Sequence, residues 1–135
     1  MKLPNAENAV VDIRKLRDYC LNPHHAEGKH KARVFQAKLG YTGEDAELLR
    51  QLILQAILTE EATEQEPTEY GRRFVVEFGI ERQVGIMQSK AAVRTAWIIG
   101  TMKIFPDLQL ASIRTGAAKP WMKSKYLTLW RWSKI

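Results

Sequence analysis

All three histidines of this chain, His24, His25 and His30, fall in one stretch: Asn-Pro-His-His-Ala-Glu-Gly-Lys-His-Lys-Ala-Arg-Val-Phe, residues 22–35. Lys29, Lys31 and Arg33 stand among them, and Glu27 is the one acid. Imidazole gives and takes protons near neutral pH, and neighbouring cations hold phosphate oxygens. Without a metal, such a set can cleave a phosphodiester. That reaction needs a base for the attacking ribose 2′-hydroxyl and an acid for the departing 5′-oxygen. It also needs fixed positive charge around the phosphorane. His25 and His30 are the candidate acid and base, Lys29 the clamp, and Arg94 a further cation. Lys31, Arg33 and Lys38 are the candidate RNA contacts. Gly28 lets the backbone approach closely, and a helix beginning at Lys29 offers N–H groups to an anion.

A plainer reading of the same residues is a solvated helix face with ordinary loop histidines, since charge runs usually lie at the surface. The cluster then docks RNA or an acidic partner without chemistry. Zinc held by Cys20, His24 or His25, and His30 is disfavoured, because the spacing lacks the close ligand pairs of structural sites. Cys20 falls on the apolar face of its helix, which argues against a nucleophile. Phosphate-binding glycine-rich, dinucleotide-binding, zinc-protease and Gly-x-Ser-x-Gly motifs are all absent. No cofactor or metal is expected.

At 135 residues the chain can bury a core as one domain. Its single cysteine fits a reducing cytoplasm. No apolar run reaches bilayer length and the first residues lack a signal-peptide core, so the expectation is a cytoplasmic protein without a membrane partner. The net charge of +6 is local. Residues 1–113 hold 15 Lys+Arg and 15 Asp+Glu, and the whole excess lies in Arg114, Lys119, Lys123, Lys125, Arg131 and Lys134. Global charge is therefore a poor guide to partners.

These residues must be placed by a helical half followed by a stranded one. Asp12 can cap a helix over 13–21, with Ile13, Leu16 and Cys20 on one face, ended by Asn22-Pro23. Ala32, Phe35 and Leu39 give helical spacing over 29–39, closed by Gly40. Thr42 and Asp45 start a third helix over 43–61, with Ala46, Leu49, Ile53, Ala56 and Ile57 inward and Leu48 and Leu52 widening the stripe. Residues 62–69, rich in Thr, Glu and Gln, read as a solvated linker. The period then becomes two: Phe74, Val76, Phe78 and Ile80 form one strand, and Val93, Thr95, Trp97 and Ile99 another. A short strand or a hairpin arm at 84–87 and a strand at 104–113 complete three to four. Trp97 and Tyr19 read as core. The expected class is α+β, with N-terminal helices packed on a C-terminal antiparallel sheet.

Three segments together, Lys15-Leu16-x-x-Tyr19-x-Leu21-Asn22-Pro23, His25-x-x-Gly28-Lys29-x-Lys31-Ala32-x-x-Phe35 and Val93-Arg94-x-Ala96-Trp97, resemble an uncharacterised bacterial family, the domain of unknown function 6883. The resemblance covers roughly residues 3–107. Its members stand alone or end large polymorphic toxins, often beside a gene for a short β-barrel-like protein. The resemblance therefore implies a toxin–antitoxin-like pair, with a small antitoxin-like protein as partner. Helices followed by a small sheet also resemble the ribonuclease fold of barnase, colicin D and RelE. With that likeness the expected function is a toxin-type, metal-independent endoribonuclease. The alternative is a non-catalytic RNA- or protein-binding module.

The expected domain spans 1–107, and 108–135 is an atypical basic, Trp-rich tail. Acids vanish after Asp107, while Trp121, Trp130 and Trp132 crowd the end. The family resemblance implies an ending that begins Phe-Pro-Arg-Leu-Thr-Thr-Cys. Back-translated with suitable codons and read one nucleotide earlier, the segment from Asp107 can yield that ending, then a stretch like the start of the partner. An out-of-frame ending is one reading. A genuine basic, aromatic tail that binds nucleic acid or a partner is the other.

Overall fold

The computed structural model of the chain describes residues 1–84, 86–102 and 105–114. Asp12 caps the first helix, accepting the Arg14 backbone N–H at 3.0 Å. One turn, α1 (Ile13–Lys15), runs into a π-helical turn over Leu16–Cys20, and Leu16 and Cys20 are buried. The second helix, α2 (Lys29–Leu39), has the predicted bounds, with Gly40 in the left-handed region at φ 69°. Thr42 and Asp45 form the predicted reciprocal cap, the Thr42 N–H reaching Asp45 Oδ2 at 2.8 Å. A 3-10 turn over Gly43–Asp45 leads into α3 (Ala46–Ala56), which stops short of the predicted end at residue 61. Ala46, Leu49, Ile53 and Ile57 are buried, whereas Leu48 is exposed.

Four strands follow, β1 (Ala62–Thr68), β2 (Gly71–Val84), β3 (Met87–Ile99) and β4 (Asp107–Ile113), in an antiparallel meander of order β1-β2-β3-β4. Helices packed on an antiparallel sheet are the expected α+β class. One expectation needs correction. Residues 62–69 are not a linker but an edge strand, paired from Ala62↔Val76 to Thr68↔Gly71. Its exposed polar side chains hide the alternation that marks a half-buried strand, and Arg72 ties it down through Glu64 at 3.0 Å. Of the two readings of residues 84–87, the hairpin arm holds: Val84 ends β2 and Met87, its cross-strand partner, begins β3.

Alternation along β2 and β3 divides the sheet into two faces. Phe74, Val76, Phe78, Ile80, Val93, Thr95 and Trp97 are buried with Phe35, Leu49 and Ile53 of the helices. Full burial of each large apolar side chain is worth about 1.5–3 kcal/mol. The opposite face carries Val75, Glu77, Arg94, Ala96 and Ser112, in rows set by the strand register. Residues 1–11 bridge the outer strands. Ala62 donates its N–H to Met1 O, Val10 to Pro106 O at 2.8 Å, and Leu108 to Val10 O at 3.0 Å. The sheet crosses the compositional break at Phe105-Pro106, because Leu108, Leu110, Ala111 and Ile113 are buried. The packed domain thus runs past residue 107 to Ile113. The tail tryptophans Trp121, Trp130 and Trp132, and the reading-frame question attached to them, lie outside the described residues. Among those described, no helix is long and apolar enough to cross a membrane.

Two glycines test the register. Gly71 sits at φ 143°, and a Cβ there would collide with the backbone of Ile99 and Gly100. Gly79 has no atom within 4 Å of a built Cβ. Gly71→Ala should therefore cost at least ~2 kcal/mol in urea unfolding. Gly79→Ala should stay within about 0.5 kcal/mol of the parent. The reverse ranking would mean that β2 is paired in another register.

Candidate functional site

The π turn and the start of α2 hold the histidine loop between them. Gly28 packs so tightly on the Tyr19 carbonyl that a Cβ would collide with it. Asn22 anchors the entry: its Oδ1 accepts the His24 N–H at 2.9 Å, and its Nδ2 donates to Asp18 O at 3.2 Å. The ring of His25 lies on Tyr19, centroids 4.6 Å apart and planes at 57°. Tyr19 is thus half-buried, packed against the core on one side and carrying the loop on the other. Burial pushes its phenol up from the ordinary value, with the Glu27 and Cys20 charges adding to the effect.

His25 is fixed by its backbone. Its Nδ1 accepts the N–H groups of both Glu27 and Gly28, each at 3.0 Å. A nitrogen that accepts two N–H donors carries no proton, so the ring proton of this tautomer sits on Nε2. His25 can therefore offer an N–H to an incoming oxygen. To act as a base at Nε2 it would need the proton on Nδ1, where it would face two donors. Of the expected acid–base pair, His25 is thus a donor with a structural duty. His30 is exposed.

Helical spacing sorts the remaining cations. Lys29 and Arg33, four residues apart, lie on the outer side of α2 beside His30, and Arg33 and Lys38 are exposed. Lys31 shares its side with Phe35 and is 6% exposed, so it does not belong to the open basic surface on which the sequence placed it. The first turn of α2 has no acid and no side-chain N-cap. Lysines at a helix N-terminus oppose the macrodipole, and an anion there would satisfy both dipole and lysines.

Arg94 does not join this cluster. It alternates with Val93 and Thr95 of the helix-covered core, so its side chain belongs to the opposite face, where Glu77 lies 3.5 Å away. The hairpin register that sets Glu77 opposite Arg94 was the sequence signal for this pair. Cys20 is buried, and no group of three or more His, Cys, Asp or Glu side chains suited to a metal occurs among the described residues.

The chain belongs to the family described as a domain of unknown function (DUF6883), which matches residues 2–111. No curated protein and no solved structure matches it.

The tautomer is directly measurable. The 15N spectrum of the imidazoles should show His25 Nδ1 as an unprotonated acceptor and Nε2 as protonated, with fast tautomer averaging for His30. Protonation at Nδ1 of His25 in the neutral ring would contradict the loop geometry. His25→Ala should cost about 1–3 kcal/mol by orphaning two N–H groups, against no more than about 0.5 kcal/mol for His30→Ala.

Proposed function

We propose that the chain is a toxin-type endoribonuclease that cleaves RNA without a metal, acting in the cytoplasm. The observation that supports this most is the outer side of the first turn of α2. Lys29, His30 and Arg33 are gathered there without an acid in that turn, and the loop that leads into it carries His25 with its Nδ1 committed to backbone N–H groups. Lys29 and Arg33 hold the non-bridging oxygens of a phosphodiester, and His25 donates to one of them. His30 takes the 2′-hydroxyl proton as the 2′-oxygen bonds to phosphorus. It returns that proton to the 5′-oxygen as the P–O5′ bond breaks. Lys38, exposed in the last turn of α2, meets the RNA strand further along.

A second reading is favoured by the structural duty of His25, which spends one imidazole nitrogen on its own loop. In this reading the surface is a non-catalytic RNA- or protein-binding module. A small antitoxin-like partner is the protein that would cover it.

The two separate in one assay. Incubated with tRNA in EDTA, the purified chain should yield discrete fragments, and His30→Ala should slow their appearance by about 10²–10⁴-fold. The binding reading predicts retention of RNA that weakens steeply with salt and no fragments at any time. Intact RNA after incubation with a chain whose fold is confirmed by circular dichroism would end the catalytic reading.

A further inference from the structure

β1 covers only part of its neighbour. Its first residue, Ala62, stands opposite Val76, whereas β2 runs on to Val84. Strand parity decides which groups this leaves open. Ala92 of β3 accepts the Arg114 N–H on its carbonyl at 2.8 Å, so its backbone is turned towards β4. Gly79, the cross-strand partner of Ala92, is therefore turned the opposite way, out of the ladder with β3. Glu81 shares that direction, since successive residues alternate. The start of β1 agrees: Ala62 gives its N–H to Met1 O, so Val76 faces β3 and its odd-numbered neighbours face the other edge. The N–H and carbonyl groups of Gly79 and Glu81 thus line an edge with no strand beside it among the described residues.

That edge borders a groove of about 430 Å³, with Leu52 and Ala56 of α3 on one side and Phe78 and Ile80 on the other. Phe78, Gly79, Ile80 and Glu81 are consecutive, so the groove runs along the backbone of β2 rather than over one face. Gly79 is exposed, with nothing within 4 Å of a built Cβ. The lining holds two acids, Glu60 and Glu81, and no Lys or Arg. Glu81 is answered by Lys90 Nζ at 3.4 Å. Arg82 is turned away, to Leu39 O at 3.1 Å and the ring of Tyr41. Half-buried Glu60 makes no ion pair among the described residues.

We propose that this edge and groove bind an extended, basic segment of a partner protein by strand addition, independently of the reading given to the histidine loop. The segment lies antiparallel to β2 and in line with β1. Its backbone exchanges hydrogen bonds with Gly79 and Glu81. Alternate apolar side chains enter the groove against Leu52, Ala56, Phe78 and Ile80, and a Lys or Arg reaches Glu60. In this mode the main chain supplies affinity, and the pockets for alternate side chains choose the sequence. A second copy docked edge to edge would bring Glu60 and Glu81 against the same acids, whereas a basic strand neutralises Glu60.

The test uses an acetylated, amidated heptapeptide that alternates valine and threonine between terminal lysines, titrated into the 15N-labelled full chain. Saturable shifts are expected at the Gly79 and Glu81 amides, with slowed hydrogen exchange at both. Proline at the central valine of the peptide should abolish them, and glutamates in place of its lysines should weaken binding about threefold. Gly79→Pro removes one edge N–H without touching the ladder to β3 and should weaken binding about tenfold. Gly79→Ala keeps that N–H and should bind like the parent. Glu60→Lys, a change on the rim, should lose the preference for lysines over glutamates. No shift at Gly79 and Glu81, equal losses in Gly79→Ala and Gly79→Pro, or an undiminished lysine preference in Glu60→Lys would each overturn the proposal. So would Gly79 and Glu81 amides that, without peptide, already exchange slowly or shift with protein concentration. Those outcomes would assign the edge to the chain itself or to a second copy.

Discussion

The indole N–H of Trp97 donates to the hydroxyl of Thr95 at 2.8 Å, and that hydroxyl donates to the carbonyl of Val76, also at 2.8 Å. All three groups are fully buried. A buried polar group without a partner is costly, and this relay satisfies the indole and the hydroxyl with no water. It also locks β2 to β3 in one register, because Val76 is the cross-strand partner of Thr95. A slip of one residue would send Trp97 to the other face and leave both groups unpaired. The helices depend on the surface so fixed, since Phe35, Leu49 and Ile53 are buried with Phe74, Val76 and Trp97 in one core.

That register divides the molecule's chemistry. Core residues of β3 alternate with Arg94, so locking Trp97 inward places Arg94 in a row with Glu77 and Ser112 on the far face. The histidine loop stays in the helical layer, carried by Tyr19 and Gly28. The basic helix start and the polar strand row therefore stand on separate elements. Each is built on a rigid element, a strand row in one case and a helix start in the other. The family has no assigned activity, so roles rest on this geometry and on the chemistry of the side chains.

Much of this was legible in the sequence, and the reasons differ by element. Asp12, Gly40 and the Thr42/Asp45 pair mark helix ends because their side-chain or backbone demands are local. Phe74–Ile80 and Val93–Ile99 show period two because one face meets the helices. β1 escaped because an exposed edge strand has no apolar face to reveal, and its pairing depends on residues far along the chain. Lys31 reads as a surface cation by charge alone, which does not say which side of a helix meets the core; its spacing from Phe35 does. Arg94 was drawn towards the histidines by shared chemistry, whereas the parity of its position relative to Trp97 already put it elsewhere. The double acceptance at His25 Nδ1 depends on loop torsions that residue types do not specify.

The contact proposed between an RNA backbone and the outer side of the first turn of α2 with its histidine loop is open to direct mapping. Photocrosslinking of a 4-thiouridine-labelled oligoribonucleotide to the full chain, with the attachment sites mapped by mass spectrometry, addresses that most directly. Crosslinks are predicted between Asn22 and Lys38, centred on His25, His30 and Arg33, and lost at high salt. Crosslinks confined to α3 or β1, or none under conditions where the RNA is retained by the protein, would contradict it.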